Sequence, residues 1–306
     1  MSLINKWAKA LKINSWPKIL TPFFMGQFMG AHHSGTLRLA PLLWGSVFAI
    51  CGVIFIVMVN DLGDVAVDTI KRKKFPDGCS PKTIPDNILP ARHLKIVAVL
   101  CMLIGFPAAY FAGRSIALGQ EAFFLGIACC LIFVAYTLPP IKLNYRGGGE
   151  LLEMIGVGLI LPLFAAFLQA GELWVESAYV LIPASTLLAL SSALASGLSD
   201  EETDRLGRKN TFTTILGNHK VRQGIMTSYW AATAYILVSW LMPFHLPNVV
   251  HELVLLNLIY FGIQMQKKSQ YATTNAFAAI GVYKSKLHSG IWLSMLGGSA
   301  LLLFFI

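Results

Sequence analysis

The sequence predicts an all-α polytopic membrane protein, a bundle of nine transmembrane helices with a helical cap on its cytoplasmic side. Apolar residues make up 56% of the 306 residues and charged residues only 13%, whereas a soluble domain carries about 25% charged residues. Apolar stretches of about 20 residues, the length that crosses ~30 Å of hydrocarbon, recur along the whole chain. The basic residues are concentrated in alternate connections between these stretches.

Nine apolar stretches are long enough to span a bilayer. Lys18, Gln27 and two histidines dilute the first of them, so it is the least apolar. Because the stretches follow one another closely, residues 1–306 form a single domain with no room for a separate soluble one. The predicted spans are residues 17–34, 41–59, 94–113, 120–138, 151–171, 177–198, 226–244, 247–265 and 288–306.

The distribution of positive charge predicts the orientation. If the N-terminus is cytoplasmic, 22 of the 24 Lys and Arg residues fall on the cytoplasmic side and only Arg38 and Arg114 fall outside. The positive-inside rule therefore predicts a cytoplasmic N-terminus and an external C-terminus, in a membrane of the bacterial cytoplasmic (inner) type. The same distribution explains the net charge of +9 without nucleic acid as a partner.

Residues 1–16 precede the first span and have an amphipathic pattern. Leu3, Ile4, Trp7 and Leu11 alternate with lysines at helical spacing. This pattern predicts a short helix that lies on the cytoplasmic leaflet of the lipid bilayer. A gate over a substrate site is the alternative interpretation.

The most informative segment follows the second span directly. On a helix, Asn60, Asp64 and Asp68 lie four residues apart on one face, with Asp61 beside them. Carboxylates this close repel one another, and poor hydration at a membrane surface adds to the cost. Mg²⁺ offsets this repulsion, because it takes carboxylate oxygens and keeps positions for substrate phosphates. We therefore predict that all four residues bind metal and that Asp64 and Asp68 are catalytic.

A second acidic segment follows the sixth span. Asp200 and Asp204 repeat the four-residue spacing, and we predict that both bind metal and are catalytic. The two segments together indicate one site of two or three metal ions built from two halves. Mg²⁺ is the expected cofactor and Mn²⁺ the alternative. The competing interpretation is that each segment is a solvated acidic helix end, paired with the basic residues after it.

A diphosphate on a lipid-soluble chain is the substrate that fits these features, because its oxygens need cations and its tail needs apolar helices. Arg72 and Lys209 follow the two acidic segments and are the candidate diphosphate donors, although the positive-inside rule alone also explains them. Tyr136 is a candidate to shield a carbocation with its ring face, or else a plain interfacial tyrosine. Lys142, Lys18 and Asn60 complete the predicted substrate-binding set.

On these motifs the chain resembles the UbiA superfamily of intramembrane aromatic prenyltransferases. That family has nine transmembrane helices, with a first motif N-D-x-x-D-x-x-x-D and a second motif D-x-x-x-D on cytoplasmic helical caps. Residues 60–68 and 200–204 match them, and the resemblance covers essentially the whole chain. It implies that Mg²⁺ at both motifs binds a polyprenyl diphosphate donor, and that an aromatic acceptor attacks an allylic cation or an exploded transition state.

The subfamily is indicated by shorter runs. Residues 136–150 and 204–211 resemble the 1,4-dihydroxy-2-naphthoate prenyltransferases of menaquinone synthesis. The chain departs from them at 196–200, where that subfamily has N-N-x-R-D, and at Trp16-Pro17-Lys18, where it has Arg-Pro. The acceptor therefore stays open among 1,4-dihydroxy-2-naphthoate, 4-hydroxybenzoate, homogentisate, chlorophyllide and a lipid alcohol.

Three other functions compete with prenyl transfer. A cation-coupled transporter would use buried acids, but it predicts ionisable residues near mid-membrane, whereas Glu153 lies close to the end of its span. A phosphatidyl-alcohol transferase would carry a D-G-x-x-A-R element, which this sequence lacks. A membrane scaffold would leave both acidic segments unexplained.

Overall fold

The computed structural model describes residues 1–244 and 246–306, which are helical apart from their connections. The connection formed by residues 75–90 is here called the cap loop. Nine of the helices in these residues are long enough to cross a membrane. The helices are α1 (Leu3–Ala10), α2 (Pro17–Ser34), α3 (Leu39–Gly63), α4 (Val65–Lys74), α5 (Ala91–Arg114), α6 (Gly119–Thr137), α7 (Gly149–Ala170), α8 (Glu176–Gly197), α9 (Glu201–Leu206), α10 (Phe212–Leu216), α11 (Asn218–Ser239), α12 (Asn248–Ser269) and α13 (Phe277–Phe305).

The all-helical membrane class is confirmed, and seven of the nine long helices in the described residues are apolar enough to be recognised as spans by composition alone. The two others, α2 and α11, carry more polar residues. Two predicted starts were wrong: α11 begins at Asn218 and not at 226, and α13 begins at Phe277 and not at 288. The predicted long loop 266–287 is therefore only the short connection 270–276. Hydropathy finds the apolar part of a helix and misses turns whose polar side chains face protein.

The bundle is organised around α2 and α7, which supply residues to both apolar clusters of the core. The two helices approach closely because Gly26 and Gly30 of α2 face the backbone of α7. A Cβ at Gly26 would collide with the carbonyl oxygen of Pro162, and one at Gly30 with that of Ala166. Small residues four apart allow this kind of close contact between membrane helices.

The cap is formed by α4, α9, α10 and the connections around them. The sequence predicted one continuous helix through Asp64, but α3 ends at Gly63 and α4 begins at Val65, with Asp64 outside helical geometry (φ −102°, ψ 7°). Asp200 lies in the same way between α8 and α9 (φ −122°, ψ −1°). Each membrane helix therefore bends into its cap helix at the first aspartate of a D-x-x-x-D motif.

The N-terminal segment lies on the cap side of the bundle. Helix α1 is present as predicted, with Leu3 and Ile4 exposed (65% and 81%) and Ala10 fully buried. The indole Nε1 of Trp16 donates to the carbonyl oxygen of Leu11 (2.8 Å), which fixes the turn into α2. The exposed apolar side chains suit the predicted contact with lipid headgroups, which stays a prediction.

Candidate active site

The two aspartate motifs meet where α4 packs against α9. Gly207, just after α9, lies against Val67 of α4, where a Cβ would be 2.5 Å from Val67 Cγ2. Lys71 of α4 binds Asp200, and Lys74 binds Glu202. The structure thus brings the two halves of the predicted site together in one cap.

Asp64 is the most heavily contacted carboxylate of the first motif. Lys209 Nζ donates to its Oδ2 (3.0 Å) and Tyr145 Oη donates to its Oδ1 (2.9 Å). Tyr145 Oη also reaches the carbonyl oxygen of Gly63 (3.1 Å). A backbone hydrogen bond from Gly147 N to the carbonyl oxygen of Asn210 (2.9 Å) joins the two segments that carry Tyr145 and Lys209.

Asp61 points to a different set of partners from Asp64. Its carboxylate accepts from Lys12 of the N-terminal segment and from the hydroxyl of Thr83 (2.5 Å). Asn60, the first residue of the motif, accepts from Thr137 Oγ1 through its side-chain oxygen (2.5 Å). The end of α3 is thereby tied to the N-terminal segment, the cap loop and α6.

Asp68 forms a nearly buried ion pair with Lys82, whose Nζ lies 2.5 Å from Asp68 Oδ1. Burial raises the pKa of Asp68, and the attraction of Lys82 offsets part of this effect. Burial also opposes the charge on Lys82, but the neighbouring Asp68 outweighs it and raises the pKa of the ammonium group. The attraction between the two side chains thus opposes the cost of burying them.

Asp204 is the deepest carboxylate of the second motif, with only 3% of its surface exposed. Burial, together with the nearby Asp200 and Asp64, raises the pKa of Asp204 to about 7, against the opposing attraction of Lys209. The same carboxylates raise the pKa of Lys209, although burial alone would lower it. The motifs are close enough for their charges to act on one another.

The chemistry of these side chains fits a hard divalent cation. Within residues 1–244 and 246–306 no three His, Cys, Asp or Glu side chains are already gathered around one point. Four of the aspartates instead each hold a lysine: Asp61 with Lys12, Asp64 with Lys209, Asp68 with Lys82, and Asp200 with Lys71. An oxygen-only set that already attracts four lysine ammonium groups is suited to a hard cation such as Mg²⁺.

An internal cavity begins directly beneath this cap. This cavity, here called the central cleft, has a volume of about 860 Å³. Its polar lining includes Lys12, Lys18, Asn60, Tyr136 and Glu153. Lys18 Nζ lies 2.5 Å from Glu153 Oε1. The predicted residues Lys18, Asn60 and Tyr136 are thus found together in one cleft.

A narrow apolar cavity continues from the central cleft into the bundle, and is here called the apolar slot. The two share Ile19, Ile56 and Phe133. The slot is further lined by Phe48, Ala49, Gly52, Phe55, Met102, Gly105, Phe106, Cys129, Cys130 and Leu161. Its surface is almost wholly apolar, so it can hold a hydrocarbon chain.

Two predicted substrate-binding residues lie elsewhere in the cap. Arg72 is held by Asp86 (Nη2 to Oδ2, 2.6 Å) and donates to the carbonyl oxygen of Pro76 (2.6 Å), so it fixes the fold of the cap loop. Lys142 lies over the ring of Tyr145, with Nζ 3.6 Å from its centre. Their contact with substrate stays a prediction.

Several residues of the site were not selected from the sequence. Lys12, Lys82, Thr83 and Tyr145 contact the first motif, and Glu153 pairs with Lys18. Lysines in a segment predicted to be cytoplasmic conform to the positive-inside rule, which hides any further role. The sequence did offer one indication of a role for Tyr145. It lies with Lys142 and Arg146 in a short segment between two prolines and three glycines.

Fold and site together define a polytopic membrane protein in which an acidic cap covers an interior cleft with an apolar extension. The chain belongs to the UbiA prenyltransferase family, whose model matches residues 19–303. It is therefore an enzyme of the prenyltransferase class. The family resemblance read from the two motifs is confirmed.

The chain is similar to solved structures over nearly its full length. A UbiA homolog from Archaeoglobus fulgidus bound to DMAPP and Mg²⁺ has a TM-score of 0.67 at 14% identity, over 95% of this chain and 99% of that chain. The same homolog bound to GPP and Mg²⁺ gives the same values. A digeranylgeranylglyceryl phosphate synthase has a TM-score of 0.62 at 12% identity, over 98% and 99%. At these identities the likeness shows a common fold.

A curated relative is similar over a shorter region. The probable homogentisate phytyltransferase 2, chloroplastic, of Oryza sativa subsp. japonica is 24% identical over 211 residues. The match covers 65% of this chain and 52% of the relative. The chain thus spans about half the length of the relative it matches.

Proposed function

We propose that the protein transfers a prenyl group from a prenyl diphosphate to an aromatic acceptor, with Mg²⁺ as cofactor, in the synthesis of a quinone or related prenyl lipid. One observation carries the proposal. The two aspartate motifs face each other across the contact of α4 and α9, and the cleft beneath them leads into an apolar slot. A prenyl diphosphate matches this arrangement, because its headgroup suits the acidic cap and its hydrocarbon tail suits the apolar slot.

The cap residues would hold the diphosphate end. Asp64, Asp68, Asp200 and Asp204, with Asn60 and Asp61, are the residues that would bind Mg²⁺, which neutralises phosphate charge when bound. Lys71, Lys82 and Lys209 already lie on these carboxylates. When a diphosphate binds, the same ammonium groups can turn to its oxygens and stabilise the charge that develops as it leaves.

The cleft residues would direct the transfer itself. The carbon–oxygen bond to the diphosphate breaks with its electron pair on the oxygen, the acceptor ring carbon bonds to the prenyl carbon, and the ring then loses a proton. Tyr136 lines the cleft, where its ring face can stabilise positive charge on the prenyl carbon. The apolar walls exclude water, which would otherwise capture the cation.

The acceptor that we propose is an aromatic acid, and two candidates have specific support. The residues 136–150 and 204–211 favour 1,4-dihydroxy-2-naphthoate, and the rice relative named for homogentisate favours that compound. A cation-coupled transporter fits less well, because Lys18 and Glu153 lie in the first turns of α2 and α7, at the cap end of the bundle.

A transfer assay on purified protein tests the proposal. The protein is incubated with Mg²⁺, with dimethylallyl, geranyl or longer prenyl diphosphates, and with each candidate acid, and products are identified by mass. We expect one prenylated aromatic product, formed with loss of a proton or of carbon dioxide from the substituted ring carbon, that appears only with Mg²⁺ or Mn²⁺. Release of diphosphate without any prenylated product from the whole panel would contradict an aromatic acceptor of these classes.

A further inference from the structure

A second interior cavity lies on the other side of the Lys18–Glu153 pair from the apolar slot. This narrow cavity, the side chamber, shares Lys18, Glu153 and Val157 with the central cleft. Lys18 Nζ also donates to Ser196 Oγ of α8 (2.9 Å). The ion pair therefore stands at the boundary between two cavities that meet beneath the cap.

The side chamber differs chemically from the apolar slot. It is lined by the hydroxyl residues Thr21, Ser185 and Ser192 and by the indole of Trp292. Ser192 Oγ lies 3.2 Å from His288 Nε2, and the imidazole of His288 is stacked on Trp292 with ring centres 5.2 Å apart at 12°. Hydroxyl and imidazole groups beside an aromatic plane suit a flat ring that carries hydroxyl groups.

The side chamber also has an approach from the cap side. A larger cavity of about 1380 Å³, the vestibule, shares Lys18 and Trp292 with the chamber and is lined by His288 as well. Its walls include Lys9, Lys12 and Lys284 together with Asn14 and Ser15. Several ammonium groups around one entrance raise the local concentration of small anions.

We infer that the acceptor ring binds at the mouth of the side chamber, where it opens to the vestibule beside Trp292, and that His288, Ser192 and Trp292 position it against the prenyl carbon in the central cleft. This inference rests on the proposed function and names the part of the site that selects the acceptor. The tail lies in the apolar slot on the α3, α5 and α6 side, and the acceptor enters through the vestibule on the α8 and α13 side. His288 and Ser192 bind the acceptor hydroxyl, and Trp292 sets the plane of the ring.

The vestibule supplies the space that the ring needs. Small-molecule pockets measure roughly 300–1,000 Å³, a size that the vestibule reaches and the narrow side chamber alone does not. The two substrates then meet at the Lys18–Glu153 boundary, which the side chamber and the central cleft both contact.

The test separates the affinity for the acceptor from the affinity for the donor. KM for each substrate is measured in His288→Leu, Ser192→Ala and Trp292→Leu, using the acceptor that the transfer assay selects. Loss of a hydrogen bond or of a stacked ring should raise KM for the acceptor about tenfold, with KM for the prenyl diphosphate changed less than about twofold. Trp292→Phe should restore most of the loss, because it keeps an aromatic plane.

Matched controls and a second readout keep the result interpretable. Ser285→Ala on the exposed face of α13 and Trp44→Leu on the exposed face of α3 should leave both KM values unchanged. Mg²⁺-dependent binding of geranyl diphosphate, measured by calorimetry, shows that each variant is folded. Ser192→Ala removes one oxygen only, so it remains informative if a larger change disrupts folding.

Two results would overturn the inference. The first is an unchanged KM for the acceptor in folded Ser192→Ala and His288→Leu protein. The second is a raised KM for the donor alone, which would assign the side chamber to the prenyl chain. A wild-type protein that binds no prenyl diphosphate would instead contradict the proposed function. Equilibrium binding of the aromatic acids to wild type and His288→Leu would then test the chamber separately.

Discussion

Asp64 and Asp200 occupy equivalent positions in the two halves of the cap. Each lies at the bend between a membrane helix and a cap helix, and the carbonyl oxygen of each accepts from the amide of the aspartate four residues later (2.8 Å in both cases). The second aspartates, Asp68 and Asp204, therefore project from the first turns of α4 and α9. The fold uses the same local geometry twice to present two carboxylate pairs to one space.

Tyr145 positions Asp64 and should be needed for tight binding of the donor. Tyr145→Phe removes the hydrogen bond to Asp64 Oδ1 while keeping the ring beneath Lys142. We expect KM for the prenyl diphosphate to rise about three- to tenfold, since one intramolecular hydrogen bond is worth about 0.5–1.5 kcal/mol net. Steady-state assays at saturating acceptor measure this. The exposed Tyr271→Phe is the matched control; an equal effect there would refute a specific role.

The apolar slot should set the length of the prenyl chain. Gly52 lines the slot, and a Cβ at this position has no neighbour within 4 Å. Gly52→Phe should therefore fill the slot without disturbing the bundle, and shift preference toward shorter prenyl diphosphates, with the ratio of kcat/KM for long over short donors reduced about tenfold or more. Competition between geranyl and longer donors measures the ratio.

The control for this prediction is Gly297→Phe, because Gly297 is exposed on α13 and equally open around its Cβ position. An unaltered ratio in active Gly52→Phe protein would show that the tail lies elsewhere.

The α2–α7 contact should be among the most sensitive points for stability. Gly26→Leu places a side chain against the carbonyl oxygen of Pro162 and the Cβ of Ala165, so the helices must separate. We expect a loss of about 2–4 kcal/mol in the free energy of unfolding, as for other overpacked or disrupted contacts. Thermal or denaturant unfolding in detergent measures it. Gly281→Leu has open space and should be nearly neutral; similar losses in both would argue against a close α2–α7 contact.

The orientation predicted from the basic residues can be tested with cysteine labelling. Cys79 lies in the cap loop, and the other four cysteines lie in α3, α5 and α6. An impermeant thiol reagent should label Cys79 only after the membrane is permeabilised. Ser115→Cys in a Cys79→Ser background places the thiol in an exposed connection at the opposite end of the bundle, and should react in sealed cells. The reverse pattern would invert the topology.

The fold and the metal-binding motifs were predictable because their signals are local. A span is a run of apolar residues, and Asn60, Asp64 and Asp68 lie within three turns of chain. The helix starts at Asn218 and Phe277 were missed because Arg222, Lys284 and His288 lower the local hydropathy although their helices continue. Burial against other helices, which sequence alone does not show, allows polar residues there.

The surroundings of the motifs were less predictable because they depend on tertiary packing. Lys12 reaches Asp61 across 49 residues and Tyr145 reaches Asp64 across 81. Glu153 was noted only as lying near a helix end, and its partner Lys18 belongs to a different helix. Arg72 was selected for its position after the first motif, yet the loop folds back so that Asp86 binds it. Such pairings follow from how α2, α4 and α7 come together.

Calorimetric titration of purified protein with geranyl diphosphate tests most directly whether the two aspartate motifs form one Mg²⁺-diphosphate site. We expect binding in wild type that requires Mg²⁺, and a loss of affinity of at least about 100-fold, or about 2.7 kcal/mol, in both Asp64→Asn and Asp200→Asn. Asp77 is an exposed carboxylate in the cap loop, and the control variant Asp77→Asn should bind geranyl diphosphate as wild type does. Unchanged affinity in either motif variant, or binding that is indifferent to Mg²⁺, would contradict the account.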